Sequence, residues 1–460
     1  MTPGRRANDG GHHPLGATFT GDTERLFVHE NGEGWTVGRL LAYAGDIERA
    51  TPPGTGRLVA VRSHSAAFVI AALLGLWKAG RCPLLVDPAL TSEPAGLRTR
   101  GERIPVIAPA DVADPWSDVA VTESCGEPVP PGFPRPDACE VAFFTSGSTG
   151  EPKTVRKKAS QLAEQYTVEA PWLGIGAGVS TLCLVPAFHI LGYIYGFYWP
   201  GASAGTAMFN RVQSPQQWID KVREGRPNLV VGVPAHYRLI TQVLSDALPP
   251  AIYLCSGAPL DPAICDEFQR RAGSPVHQVY GSTETGGIAT RVGSGPWRPF
   301  PTLAWQVRKA DGRLLVRSAW QDVPDDWHPT GDAAEVEGDT FRLLGRVDSV
   351  VKIGGRRFSS GEIVQIALEE PRVDRAHAIV YSRFGELAVA LFAVPKPGVA
   401  LTPAELRTFV AGRLAPFKVP RTIQVVSELP TRGIGKVDES ALRHMVSAGT
   451  SDVGRSISSP

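Results

Sequence analysis

Apolar positions along this chain switch repeatedly between two spacings. RLVAVR (57–62) is a short apolar run rich in valine, SAAFVIAALLGLWKAG after it is a long one ended by glycine, and CPLLVDP (82–88) is short again and stopped by proline. That order predicts a β-α-β unit, which favours a parallel sheet with helices on its faces. From EVAFF (140–144) the alternation resumes. STLCLVPA, PNLVVGVP, AIYLCSG and VHQVYG read as strands, separated by helical patterns in PQQWIDKVREG, AHYRLITQVLSDAL and DPAICDEFQRRAG. Strand after strand closes on a Gly-, Pro- or Ser-bearing turn. In an open α/β sheet ligands bind beyond the carboxyl ends of the strands, so these turns are expected to face one crevice.

Two stretches break the rhythm. Residues 108–137, rich in Pro, Asp and Ser, predict a surface connection. After about residue 300 the runs shorten to GRLLVRS and TFRLLGR, and beyond GRVDSVVKIGGRRFSSGEI come a helix at EIVQIALEE, strands at AHAIVYS and LAVALFAVP, and a helix at PAELRTFVAGRLA. The expected fold is α/β: a large N-terminal domain of parallel and mixed sheets flanked by helices (23–347), then a small mobile α+β domain (348–446). Residues 1–22 and 447–460, polar and rich in Gly or Ser, are expected to lack fixed structure.

Composition narrows the classes of function. A net charge of +1 across 460 residues provides no global field for nucleic acid or an anionic membrane, so any phosphate chemistry must be local. The six cysteines form no CxxC and no His-paired metal spacing, which predicts buried reduced thiols. MTPGRRANDGGHHPLG has no apolar signal core, and the longest apolar run, AAFVIAALLGLW (66–77), is too short to span a bilayer. A cytoplasmic location is expected.

The chemistry-bearing fragments lie at the predicted strand ends. In FFTSGSTGEPK (143–153), Gly147 and Gly150 let backbone amides turn inward, Thr145, Ser146, Ser148 and Thr149 supply hydroxyls, and Lys153 adds a mobile cation. Alone, the segment fits either a plain Ser/Gly linker or a loop that wraps phosphate. It is not a Walker loop, because Gly-Lys-Ser/Thr is missing and Pro152 blocks a helix at the lysine. Further along come His189 in PAFHILG, the small residues Ser256, Gly257, Ala258 and Pro259 in SGAPL, and Tyr280, Gly281, Ser282, Thr283 and Glu284 in YGSTETGG. Asp332 ends HPTGD, Arg346 and Asp348 lie in GRVD, and Lys436 ends TRGIGK. Taken singly, each has an ordinary structural use as well.

Together, in this order, they resemble the adenylate-forming superfamily: acyl-CoA synthetases, stand-alone adenylation domains and luciferases. The resemblance runs from WKAGRCPLLVDP to ESALR and implies an ATP-dependent ligase that joins a carboxylic acid to a thiol. It assigns Thr145–Gly150 and Lys153 to the ATP β- and γ-phosphates, Tyr280 to adenine stacking with Ser256–Pro259 beside it, and Thr283 to the α-phosphate. It further implies that Glu284 holds Mg²⁺, that Asp332 and Arg346 grip the ribose, that Asp348 is the interdomain hinge, and that Lys436 bridges acyl carboxylate and α-phosphate. Gly281 and Ser282 fall in the same nucleotide site. Gly355 in KIGGRRF matches the loop that meets the pantetheine of CoA or of an acyl carrier protein, where a Cβ would intrude. By the same resemblance His189, SGAPL and VGVPAHYR are expected to line the acid pocket, with His236 or Tyr237 bonding a ring hydroxyl. These features lean toward an aryl or short to medium acyl acid. Thr154, Ser349 and the proline in HPTGD depart from the usual pattern without removing a catalytic group. The alternatives are a non-catalytic nucleotide-binding regulator and an amino-acid adenylating enzyme. The second usually carries a pocket aspartate that VVGVPAHYR lacks.

Overall fold

The computed structural model describes residues 15–51, 57–90, 97–99, 102–111, 117–123, 136–146, 152–209, 214–324, 326–347, 350–353, 356–383, 386–432 and 436–451. The chain divides into two compact units: residues 1–304 with 317–326, and residues 305–316 with 327–460. The expected hinge, Asp348, lies outside the described residues.

The first unit is built on two sheets. In the larger, the parallel strands Leu26–Glu30, Thr206–Phe209, Ser180–Cys183, Leu229–Gly232, Ile252–Cys255 and Val276–Ser282 lie side by side. Antiparallel strands close both edges. In the second sheet, Cys82–Val86 sits between Leu58–Arg62 and Glu140–Ser146, all parallel, with Pro152–Lys158 antiparallel at one edge. Both sheets follow the predicted alternation. The connection expected over 108–137 differs, because Val106–Pro109 and Val119–Val121 pair as strands of this second sheet. Val106, Ile107 and Ala108 are buried there, an apolar payload that the surrounding Pro and Asp conceal in the sequence.

Local chemistry sets the helix ends. Ser65 accepts the Phe68 N–H to cap Ala66–Lys78, and Asp261 caps Pro262–Ala272, whose end is Gly273 at φ +77°. Leu182, Val230, Tyr253, Trp218 and Phe268 form one core between the large sheet and its helices. Inside the stretch expected to be unstructured, Gly16–Phe19 form a short helix, and the Phe19 ring packs edge-on against Phe27 at 5.0 Å. The cysteines at 82, 139 and 183 are buried as expected, and burial pushes their thiols up to about 12. Among the described residues no helix is long and apolar enough to cross a membrane.

The second unit holds a four-stranded sheet that includes His328–Glu337 paired with Thr340–Arg346, and a three-stranded sheet of Val373–Arg383, Glu386–Pro395 and Thr422–Val425. Ser360–Leu368 and Pro403–Ala411 contribute Ile363, Leu406 and Val410 to a core with Val389 and Leu391. The final helix, Glu439–Ser451, continues past residue 447, where fixed structure was not expected; Leu442 and Val446 on it are buried.

Candidate active site

The expected phosphate loop is carried by a β-hairpin. Glu140–Ser146 pairs with Pro152–Lys158, Thr145 opposite Lys153 and Ser146 opposite Pro152, and Lys153 is exposed. A strand follows Pro152 instead of a helix, in keeping with the block that proline imposes. Gly147, Ser148, Thr149 and Gly150 lie outside the described residues.

A second hairpin joins Val276–Ser282 to Gly286–Val292 and presents Thr283 and Glu284 on its turn. Its shape comes from side chains and glycines. The Ser282 N–H donates to Thr285 Oγ1 (3.1 Å), the Thr285 N–H returns to Ser282 Oγ (3.2 Å), and Gly286 adopts φ +66°. A Cβ on Gly281 would run into the Gly286 carbonyl. Thr283 and Glu284 are half-buried, and among the described residues the Glu284 carboxylate makes no hydrogen bond or ion pair. A carboxylate is a hard oxygen donor whose chemistry fits Mg²⁺. Among the described residues no cluster of three His, Cys, Asp or Glu forms a metal site by itself. Tyr280 lies on the same strand, 5.6 Å from Trp297, and the neighbouring strand delivers Ser256, whose hydroxyl donates to the Val279 carbonyl (2.8 Å). Gly257 (φ +91°), Ala258 and Pro259 follow it exposed, so the two segments expected to flank adenine are brought side by side.

Behind this turn is a buried acid that sequence reasoning missed. Glu169, on the helix Ala159–Trp172, accepts from Tyr195 Oη (2.9 Å) and Gln165 Nε2 (2.8 Å) and bonds the Gly287 N–H. A Cβ on Gly287 would overlap the carboxylate. Burial pushes Glu169 up to about 8 against these three hydrogen bonds, so the native state holds its proton at neutral pH. Its folded pKa exceeds the ordinary 4.5, so between those values the unfolded chain has released a proton that the native state keeps. The contribution is full below the lower value and is lost as pH rises through the upper one. Glu169→Gln, which mimics the neutral acid, is expected to flatten the decline of Tm between about pH 5 and pH 8. Parallel Tm–pH curves for the two proteins would mean that Glu169 is ionised in the native state.

His189 lies in the bend just before a buried helical segment that the sequence did not predict: Gly192–Tyr198 winds as a π-helix and continues as Trp199–Ala202. Gly192 packs on the Pro186 carbonyl and Gly196 on the Phe209 ring, at distances no Cβ would allow. His189 Nε2 is buried with no hydrogen-bond partner among the described residues, and burial lowers its pKa, opposed by Asp87. The imidazole is neutral at physiological pH.

One pocket expectation is corrected. Tyr237 is a core residue whose hydroxyl donates to the Leu254 carbonyl (2.9 Å), because its place in the Pro234–Val243 helix turns the ring under the sheet. His236 instead lines a cavity of about 310 Å³ at the carboxyl ends of three parallel strands, with His64, Ser214, Trp218 and Leu239. Its Nδ1 accepts the Val233 N–H (3.2 Å), leaving Nε2 as the donor. Glu30 also borders the cavity, but its carboxylate caps the helix Ala66–Lys78 through Ser65, Ala66 and Ala67.

In the second unit Asp332 and Arg346 are cross-strand partners, with Arg346 Nη1 3.9 Å from Asp332 Oδ1. Gly331 makes room for the guanidinium, which would collide with any Cβ there. Lys436 opens the short strand Lys436–Val437, paired with Thr431–Arg432. Gly355 lies outside the described residues.

Residues 53–327 match the model of the AMP-binding enzymes, and residues 362–436 match that of the AMP-binding enzyme C-terminal domain. The chain belongs to the AMP-binding enzyme family. It is 26% identical over 412 residues to an indoleacetate–CoA ligase of Aromatoleum aromaticum, covering 80% of each chain. It is also 26% identical over 441 residues to ScoC, a fatty acid–[acyl-carrier-protein] ligase of Streptomyces coeruleorubidus, covering 81% of this chain and 83% of that one. The fold matches ATP-bound MatB from Rhodopseudomonas palustris with a TM-score of 0.78 at 19% identity, covering 95% of this chain and 99% of MatB. This AMP-binding enzyme is an acid–thiol ligase that activates a carboxylic acid as its adenylate and transfers the acyl group to a thiol. The regulatory and amino-acid-adenylating alternatives are not favoured by these relatives.

Proposed function

We propose that this ligase activates a one-ring aryl or short acyl acid with Mg²⁺·ATP, using Glu284, Thr283 and Lys436, and passes it to CoA or a carrier-protein phosphopantetheine. The observation that carries the reading is the Val276–Val292 hairpin, which offers a hydroxyl and an uncommitted carboxylate on one rigid turn beside Tyr280 and Ser256–Pro259. The acid's size rests on the 310 Å³ cavity, at the small end of ligand clefts and walled largely by apolar side chains, with imidazole donors for a polar substituent. The relative named for 4-chlorobenzoate supports a one-ring aryl acid, while those named for indoleacetate and fatty acids widen the set of acids to be tried.

The chemistry asks the site to overcome charge repulsion, since a carboxylate must attack an anionic phosphorus. Mg²⁺, when bound, supplies Lewis-acid neutralisation of the phosphate oxygens. Glu284 would hold it, Thr283 would donate to the α-phosphate, and the hairpin at Thr145–Lys153 would orient the leaving pyrophosphate. Asp332, with Arg346 beside it, would accept from the ribose hydroxyls. His189, expected beside the acid, is not among the residues that line the 310 Å³ cavity. The test is acid-dependent pyrophosphate release across aryl and acyl acids, with CoA and a phosphopantetheinylated carrier protein supplied separately. Turnover restricted to long-chain acids would overturn the size assignment, and the thiol that completes turnover identifies the acceptor.

A further inference from the structure

The segment KTVRKKAS holds three consecutive basic residues, Arg156, Lys157 and Lys158. The structure separates them. Strand alternation along Pro152–Lys158 buries Val155 and Lys157 and leaves Arg156 and Lys158 exposed. Lys157 is only 1% exposed. Its ammonium donates to two backbone carbonyls, that of Glu284 at 2.6 Å and that of Trp320 at 3.0 Å. Burying an amine held only by carbonyls, with no ion pair to a carboxylate among the described residues, is costly for its charged form, and burial pulls its pKa down to about 7. The amine joins three segments. These are the strand leaving the phosphate loop, the turn bearing Thr283 and Glu284, and the stretch 320–322. That stretch grips the same turn twice more: the Asp322 N–H donates to the Glu284 carbonyl (2.8 Å) and Trp320 Nε1 to the Gly287 carbonyl (3.0 Å).

We propose that Lys157 is a positioning residue for adenylation, tying the backbone of Glu284 to the phosphate-loop hairpin so that the turn meets metal and triphosphate in one fixed register. The inference rests on the proposed roles of Thr283 and Glu284. Lys157 touches no substrate atom; it acts through the Glu284 carbonyl, as an outer-shell group orients a metal ligand. A lost outer-shell partner typically weakens metal affinity by about 10–100-fold.

The experiment compares parent, Lys157→Met, Lys157→Gln and Glu284→Gln. Mg²⁺-dependent binding of a non-hydrolysable α,β-methylene ATP is followed by calorimetry, and pyrophosphate release is followed against Mg²⁺ and acid. For Lys157→Met the half-saturating Mg²⁺ is expected to rise about 10-fold or more in both assays, with the KM for acid nearly unchanged. Lys157→Gln, which keeps a donor, should recover part of the loss and serves alone if the methionine variant does not fold. A purely structural lysine would lower Tm and the active fraction while the folded enzyme kept the parent Mg²⁺ response, and that result would overturn the proposal. A parent-like Mg²⁺ response in Glu284→Gln would instead overturn the metal assignment on which it rests. The same response confined to the Lys157 variants would remove the positioning role and leave the metal assignment standing.

Discussion

Replacing Lys436 with alanine is expected to cut acid-dependent pyrophosphate release by about 10²–10³-fold, equivalent to roughly 2.7–4 kcal/mol of transition-state stabilisation. The attacking carboxylate and the α-phosphate are both anionic, and their approach builds charge that a mobile ammonium can neutralise without reorganising solvent. The loss should be confined to adenylation. Val437 and Leu442 anchor this part of the chain in a core with Phe392 and Val394, so Tm should stay at the parent value. Supplying preformed acyl-adenylate to the variant separates the steps. Thioester formation from it should proceed near the parent rate while ATP–pyrophosphate exchange is lost. Near-normal exchange in Lys436→Ala would remove the lysine from the adenylation step.

Glu284→Ala should produce a loss of similar size by another route. Glu284 stands on a turn held by Lys157, Asp322 and the Ser282–Thr285 hydrogen bonds, so removing its carboxylate leaves the backbone in place and subtracts only the group proposed to hold Mg²⁺. Pyrophosphate release is expected to fall about 10²–10³-fold at millimolar Mg²⁺. Excess Mg²⁺ should recover part of it, whereas Lys436→Ala should not respond to the metal. A variant whose Mg²⁺ dependence matched the parent would leave Glu284 a structural acid.

The two predictions differ in how visible their residues were. TSGSTGEPK and YGSTETGG are contiguous, since a loop that wraps phosphate and a turn that presents a hydroxyl beside a carboxylate each need their groups within a few residues. Short spacing is legible in one dimension. Asp332 and Arg346 were legible as separate fragments, but only the antiparallel register of His328–Glu337 with Thr340–Arg346 makes them neighbours. Tyr237 misled because VGVPAHYR does not state which side of a helix faces the sheet. Helix phase put the ring in the core and His236 at the cavity.

By itself the sequence determined the α/β class, the parallel strands and the helices Ala66–Lys78, Pro215–Gly225 and Pro262–Ala272, and it marked the hydroxyl- and glycine-rich clusters as candidates for phosphate. Each of these is written in a local signal: period, cap, proline, or a cluster of hydroxyls and glycines. Tertiary structure alone decided the fates of Lys157 and Glu169. One cation among three in KTVRKKAS and one acid in ASQLAEQYTVEAPW become buried only when distant segments supply the carbonyls, the tyrosine and the glycine N–H that receive them. Desolvation depends on what closes around a group from elsewhere in the chain, and no local pattern carries that information.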